Sequence, residues 1–538
     1  MPVHSAWKSL LALSLLVLGA SAFAAEPRVL VTISKETTYI TEPLRTDGYP
    51  DYIAALNHRC HEGITLESNA AVPFWQAMGP EAVYERFRER YFQMLGIPPL
   101  PEKGNYFITP NTQIILNEDS DAMAKVKDPR TALRQQLSAA VARPWSKEEF
   151  PVWAEWIETN KKPLELLVEA SRRPRCYDPL VGSRLDTIGD ISRPAASLRR
   201  VSDVADALMA RAMLRLRNAK AADAWEDVLA LHRLARIIGQ GPTLADSVGA
   251  SGINERASSG ACALLQHSTP TSAAIAAMRA DLDRLPPMPK MVDRIDVAER
   301  FAHLEIIVMH ARSPRATAAS VARWAEFLKK NGYSAERRAA TKLAMESLGD
   351  VTTDWNLILR MGNARCDRYA DAFRKPAGIG RRKAVKAIDE NIATMLKTAD
   401  DKAASEPSPD HVREARARRL ESAYFLVYAT AVPTHLDVDD RTTTRCELTK
   451  LAFALAAYCA DQGSYPEKLA ELVPKHLNRL PKDVFNNDAE LCYARKGDGY
   501  LLYSVGRNGK DDGGRGQDDR KNNEDWDDLA VRMSAATH

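Results

Sequence analysis

The stretch ELTKLAFALAAYCADQGSYPEKLAELVPKHLNRLPKDVF, residues 447–485, is followed after a short gap by LCYARKGDGYLLYSVGRNGKDDGG, residues 491–514. Leu448, Leu451, Ala452, Leu455, Ala456 and Cys459 recur at i, i+3, i+4, i+7, i+8 and i+11, so they share one face of a helix. Thr442, Thr443 and Thr444 stand just upstream as N-cap candidates, since a hydroxyl there accepts an orphan amide hydrogen. Gly463, then Pro466, writes the stop. Leu469 and Leu472 restart an apolar face that Pro474 ends, and Pro481 opens a connector to Phe485. Leu491 and Tyr493 then alternate with Cys492, the run from Tyr500 to Val505 is aromatic and apolar, and Gly497-Asp498-Gly499 between them is a hairpin signal. The unit reads as one helix packed on a short antiparallel sheet.

Its tail changes character. Between Asn508 and Asp528 carboxylates, among them Asp511, Asp512, Asp527 and Asp528, interleave with Gly509, Gly513, Gly514 and Gly516. Clustered carboxylates repel one another unless a hard cation or water neutralises them, and glycines let backbone carbonyls turn inward. Calcium takes roughly six to eight oxygens at about 2.3–2.6 Å from a flexible cage, which this composition can supply. The spacing of an EF-hand loop is absent. The competing reading is a solvated acidic tail with Lys510, Arg515, Arg520 and Lys521 as local counter-charges.

The residues Ala457-Tyr458, Asp461, Gly463, Tyr465-Pro466, Leu469, Leu472, Pro481, Asp483, Phe485, Tyr493, Gly499-Tyr500, Tyr503 to Gly506, Asn508-Gly509, Gly513-Gly514 and Asp528-Leu529 resemble, in order, the globular half of the major, G-type pseudopilins of type II secretion. The resemblance covers only the end of the chain. It implies a helix on a small antiparallel sheet with calcium in the loop after the last strand. Carried over, the ligands are Asn508, Asp527 or Asp528, with backbone carbonyls near Leu502 and Ser504. The family's position at Asn508 is usually aspartate, and extra residues around 520–526 shift the register of the later ligands. The prepilin leader and assembly helix do not precede the module here, so polymerisation as a pilus subunit is not expected.

The rest of the 538 residues fits two to four domains with ordinary cores, at 45% hydrophobic and 27% charged residues. A net charge of +3 argues against a dedicated nucleic-acid surface. Lys8, the apolar run Leu10 to Leu18 and Ala22-Phe23-Ala24 read as a signal peptide over 1–24, cleaved after Ala24, which implies export to the periplasm, envelope or medium. The alternative is an uncleaved N-terminal anchor. No later run reaches a membrane-spanning length. An N-terminal α+β segment, 25–125, is expected to hold strands within Arg28 to Thr41, a turn at Asp47 to Pro50 and helices carrying Trp75 and Tyr91. Its runs SKETTYIT, GYPDYIAALN and NAAVPFWQAMGP are similar to a recurrent opening of uncharacterised exported bacterial proteins, a resemblance that carries no activity.

Residues 126–399 are helix-periodic throughout, and Ala196–Arg217 with Ala221–Ile238 form an antiparallel helical hairpin. No fixed period recurs, so an irregular helical array is expected rather than a solenoid. Trp153, Trp156, Trp225, Trp324 and Trp355 are core anchors in this reading. A linker, 400–410, leads to a C-terminal helix and module, 411–534. The fold class is therefore mainly α with a small C-terminal α+β module.

Catalytic signatures are thin. His58 and His61 lack further ligands and read as surface residues. His303 and His310, with Glu299 a turn before, need a third group from elsewhere. Gly249-Ala250-Ser251-Gly252 lacks the full nucleophile-elbow pattern, and Gly378-Ile379-Gly380 is a loop before a helix whose Arg381 and Arg382 sit on a solvated end. Seven scattered cysteines form no disulfide framework; Cys459 with Cys492 is the one local pair that geometry allows. The leading expectation is an exported non-catalytic protein with a helical interaction body and a calcium-stabilised module. One alternative is an envelope hydrolase with its site among the helices of 129–395. The other is an accessory partner of a secretion or pilus-like machine. A protein partner is left open, nucleic acid is not expected, and the cofactor expectation is Ca2+ alone.

Overall fold

The computed structural model describes residues 29–181, 195–312 and 353–534, apart from 121–122, 125, 406–407, 429–431 and 488, together with residue 326. The leader and Trp324 lie outside the described residues. The protein is mainly α-helical with one three-stranded antiparallel sheet at its C-terminal end.

Short helices come first: α1 (Tyr52–His61), α2 (Ala71–Met78), α3 (Arg88–Leu95), α4 (Pro110–Asn117), α5 (Pro129–Ala142), α6 (Pro151–Thr159) and α7 (Lys161–Arg172). Proline at the first turn starts α4, α5 and α6, where its missing N–H costs nothing. Longer helices follow: α8 (Ala195–Arg217), α9 (Ala221–Ile238), α10 (Leu244–His267), α11 (Ser272–Asp283) and α12 (Arg300–Arg312). Then come α13 (Trp355–Arg374), α14 (Ile379–Ser405), α15 (Pro409–Tyr428) and α16 (Val432–Gln462). Strands β1 (Cys492–Lys496), β2 (Gly499–Ser504) and β3 (Leu529–Met533) form the sheet in that order.

The hairpin expected at 196–238 is present as α8 and α9, which pack on each other and on α10. Trp153, Trp156 and Trp225 are buried as anchors, while Trp355 is half-buried. Indole N–H groups find acceptors: Trp156 Nε1 donates to the Ile108 carbonyl at 2.7 Å and Trp145 Nε1 to that of Ala210 at 3.0 Å.

Four expectations are corrected. Arg28 to Thr41 forms no strand among its described residues. Its serine and threonine hydroxyls fold the chain on itself: Thr38 Oγ1 donates to the Ser34 carbonyl at 3.0 Å and to that of Ile40 at 2.9 Å. Thr442 to Thr444 are not caps. They lie inside α16, which begins at Val432, and each hydroxyl donates to the carbonyl four residues back at 2.7–2.9 Å. Residues 400–405 continue α14 rather than forming a linker, and α14 packs on α15. Arg381 is buried rather than solvated, because α14 lays it and Arg382 against aspartates of α16. All seven cysteines, Cys459 and Cys492 included, are free thiols.

The expected face of α16 is buried at Leu448, Leu451, Ala452 and Leu455, but Phe453 and Ala454 on the other side are buried too. The helix is sandwiched: α10 and α11 flank it, β2 and β3 pack on it, and the Phe453 ring meets Trp225 of α9 at 5.7 Å. Helical body and sheet thus share one continuous apolar core. Gly463 ends α16 in left-handed backbone, φ +77°, donating its N–H to the Cys459 carbonyl at 2.8 Å. No helix among the described residues is long and apolar enough to cross a membrane.

Candidate metal centre

The loop between β2 and β3 is built from both ends. Gly506, at φ +67°, brings the chain so close to Asp527 that a Cβ would lie 2.3 Å from its carbonyl oxygen. No other residue type fits there. Gly514, at φ +79°, donates its N–H to Asp528 Oδ2 at 2.8 Å, and the Asp512 N–H donates to the same oxygen at 3.1 Å. Asp527 accepts the Asn508 N–H at 3.1 Å, and the Asp528 N–H returns to the Arg515 carbonyl at 3.1 Å. The Arg515 guanidinium lies over the Trp526 ring at 4.2 Å, closing the rim.

This folding brings Asp512, Asp527 and Asp528 together, each with a carboxylate oxygen within 4.8 Å of the others. Asp527 and Asp528 are buried. No lysine or arginine makes an ion pair with any of the three among the described residues; Arg532 pairs with Asp519 at the rim instead. Asp528 is 3% exposed, and its Oδ1 is buried without a hydrogen-bond partner. An unsatisfied buried carboxylate oxygen is costly unless something supplies positive charge or a proton. Burial pushes the Asp528 carboxyl up to about 6, and Asp512 adds repulsion against the N–H donors that pull it down. Burial likewise raises Asp527.

Of the residues singled out from sequence, Asn508, Asp527 and Asp528 converge here. Asn508 Oδ1 accepts the Lys510 N–H at 2.7 Å, while its Nδ2 donates to Asp512 Oδ2 at 3.0 Å and to the Asp525 carbonyl at 2.6 Å. As oriented, the amide therefore offers the cluster a donor, and it enters as a ligand only after a flip. Leu502 sits mid-strand in register with Tyr493 and Val531, so its backbone belongs to the ladder. Ser504 is in register with Leu529, and its hydroxyl donates to the buried Asp483 at 2.7 Å. Asp512 is the ligand candidate that sequence reasoning left unassigned. Its signal was the Gly513-Gly514 pair, which turns the chain immediately after it. Three carboxylates of hard oxygen suit calcium or magnesium and offer no soft donor for zinc or copper.

Among the described residues no histidine joins a second cluster at metal-ligand spacing. His58 and His61 are exposed. His303 and His310 are buried in the helical core, His303 Nε2 lying 3.4 Å from Glu421 Oε1. Ser251, inside α10, bonds Thr442 Oγ1 at 2.6 Å and serves packing. No family model matches this chain, and neither the curated proteins nor the solved structures offer a match.

Proposed function

We propose that the chain is an exported, non-catalytic protein whose helical body carries a C-terminal module closed by a calcium ion. The observation that supports the ion is the orphaned Asp528 oxygen inside a three-carboxylate cluster that makes no ion pair among the described residues. The ordered resemblance to the major pseudopilins supports the same reading from the sequence side, and the leader over 1–24 supports export. Asp512, Asp527 and Asp528 would hold the ion. Its role is structural: it neutralises the carboxylates, so that the acidic loop packs rather than trails.

Millimolar calcium is expected to raise the melting temperature by about 2–4 °C, reversed by chelation and absent in Asp528→Asn. Differential scanning calorimetry reads it. The pH dependence follows from the raised Asp528 carboxyl. The free acid in water titrates at about 3.9, and the folded group at about 6. Without cation the folded state therefore holds its proton longer, and the stability this group gives below its unfolded value is lost as pH rises through 6. Calcium needs the ionised form, so its affinity falls as pH drops through the same value. Titration calorimetry at pH 7.5 and 5 should show the loss; equal affinity at both would remove Asp528 from the ligand set.

A further inference from the structure

Apart from the acidic loop, α2, α3, α7, α9 and the 176–181 segment line a pocket of about 380 Å³. That volume is within the range of small-molecule sites, roughly 300–1,000 Å³. Its wall is mostly apolar and aromatic, with Phe74, Trp75, Tyr91, Val83, Leu234 and Ile238 among the lining residues. Two carboxylates, Asp178 and Asp246, also line it.

Asp178 is held in place by neutral donors. Trp75 Nε1–H donates to its Oδ1 at 3.0 Å, and the Tyr91 hydroxyl donates to the same oxygen. Nothing among the described residues hydrogen-bonds Oδ2. Asp246 caps α10: its Oδ2 accepts the Thr243 N–H at 2.9 Å and the Thr243 hydroxyl at 2.7 Å, leaving Oδ1 without a donor among the described residues. Neither carboxylate makes an ion pair among the described residues. Arg86, the basic residue of the lining, is exposed and lies over the Phe87 ring at 4.6 Å. Arg294, whose field reaches Asp246, is bonded to the Gly241 carbonyl at 3.1 Å. Cys60 and Cys176 also line the cavity, and burial raises both thiols, so they bring no negative charge at neutral pH.

A pocket of this kind is apolar on its walls, is lined by aromatic side chains, and holds carboxylates with open lone pairs. It is not arranged for a metal, since among the described residues only Asp512, Asp527 and Asp528 cluster at metal-ligand spacing. We propose that this cavity binds a small organic amine, its ammonium on Asp178 Oδ2 and its apolar body against Trp75, Phe74 and the aliphatic wall. Asp246, on the same lining, supplies a second carboxylate. The inference stands independently of the calcium reading.

The test uses the full chain and three probes of matched shape: phenethylamine, the uncharged 2-phenylethanol and anionic phenylacetate. Titration calorimetry is expected to show saturable binding of the amine, with the alcohol weaker by about 10- to 100-fold, the range a charge-assisted hydrogen bond spans. Phenylacetate is expected not to bind. Asp178→Asn keeps an acceptor for Trp75 and Tyr91 but loses the charge, so it should lose the same factor for the amine and nothing for the alcohol. If that variant does not fold, the wild type answers alone: amine affinity falls between pH 7.5 and 5 as the Asp178 carboxyl, pushed up to about 6 by burial, takes a proton. Absence of amine binding, equal affinity for amine and alcohol, or an undiminished amine affinity in Asp178→Asn or at pH 5 would overturn the proposal.

Discussion

Replacing Arg365 with alanine is expected to cost about 3–5 kcal/mol of folding stability, because it strands a carboxylate in a closed interior. Arg365 of α13 and Glu421 of α15 are both almost wholly buried. Arg365 Nε donates to Glu421 Oε1 at 2.6 Å, Nη2 donates to the second oxygen, and Nη2 also reaches Ser422 Oγ at 3.0 Å. The Phe425 ring lies 5.1 Å from the guanidinium carbon. Burial alone would raise the Glu421 carboxyl; the arginine and His303 outweigh it and hold the group at about 2. An unfolded glutamate titrates near 4.3, so the folded state favours the ionised form. That stabilisation is complete above the unfolded value and disappears as pH falls from about 4.3 toward 2. Urea midpoints of wild type and Arg365→Ala measure the first effect. Glu421→Gln should flatten the acid limb of stability against pH. Replacing both partners with apolar residues, Arg365→Met with Glu421→Leu, should recover most of the loss. A single substitution that costs under about 1 kcal/mol would show that the pair is open to water.

The second large effect belongs to Asp440, which is fully buried where α16 crosses α14. Arg381 pairs with it through Nη2 and with Asp439 through Nη1 at 2.6 Å. Arg382 reaches Asp440 at 2.6 Å and Asp437 at 3.0 Å, and Arg507, in the loop after β2, closes on Asp437 at 3.0 Å. Burial raises the Asp440 carboxyl while the two arginines pull it down. The net upward direction means that desolvation wins, so the network holds α16 in register more than it adds net stability. Removing one member is still costly, since Asp440→Ala leaves two arginines short of a counter-charge. The expected loss is about 3 kcal/mol. Because Arg507 adjoins Asn508, calcium affinity should weaken as well. Chemical denaturation followed by calcium titration of the same variant checks both.

The end of α16 was legible because local chemistry decides it: apolar spacing, then a glycine in left-handed backbone. Its start was not. A threonine hydroxyl reads the same in sequence whether it caps an amide or bonds back to a carbonyl four residues earlier. Asp437, Asp439 and Asp440 carried no local signal, since their partners Arg381 and Arg382 come from another helix. The hairpin of β1 and β2 was written in Gly497-Asp498-Gly499, whereas β3 was hidden in a tail that read as acidic loop. Asn508, Asp527 and Asp528 were placed by resemblance, and Asp512 waited on knowing how the glycines turn the chain. The cavity could not be read at all. Trp75, Tyr91, Asp178 and Asp246 come from separate segments, and only tertiary packing brings them to one wall.

Hydrogen exchange of the rim amides tests the central claim most directly. The N–H groups of Asn508, Asp512 and Gly514 all donate to Asp527 or Asp528. With calcium present these amides should exchange as slowly as the flanking strands, and chelation should release them while β2 and the helices stay protected. Identical exchange with and without calcium, whether fast or slow, would contradict a rim closed by an ion.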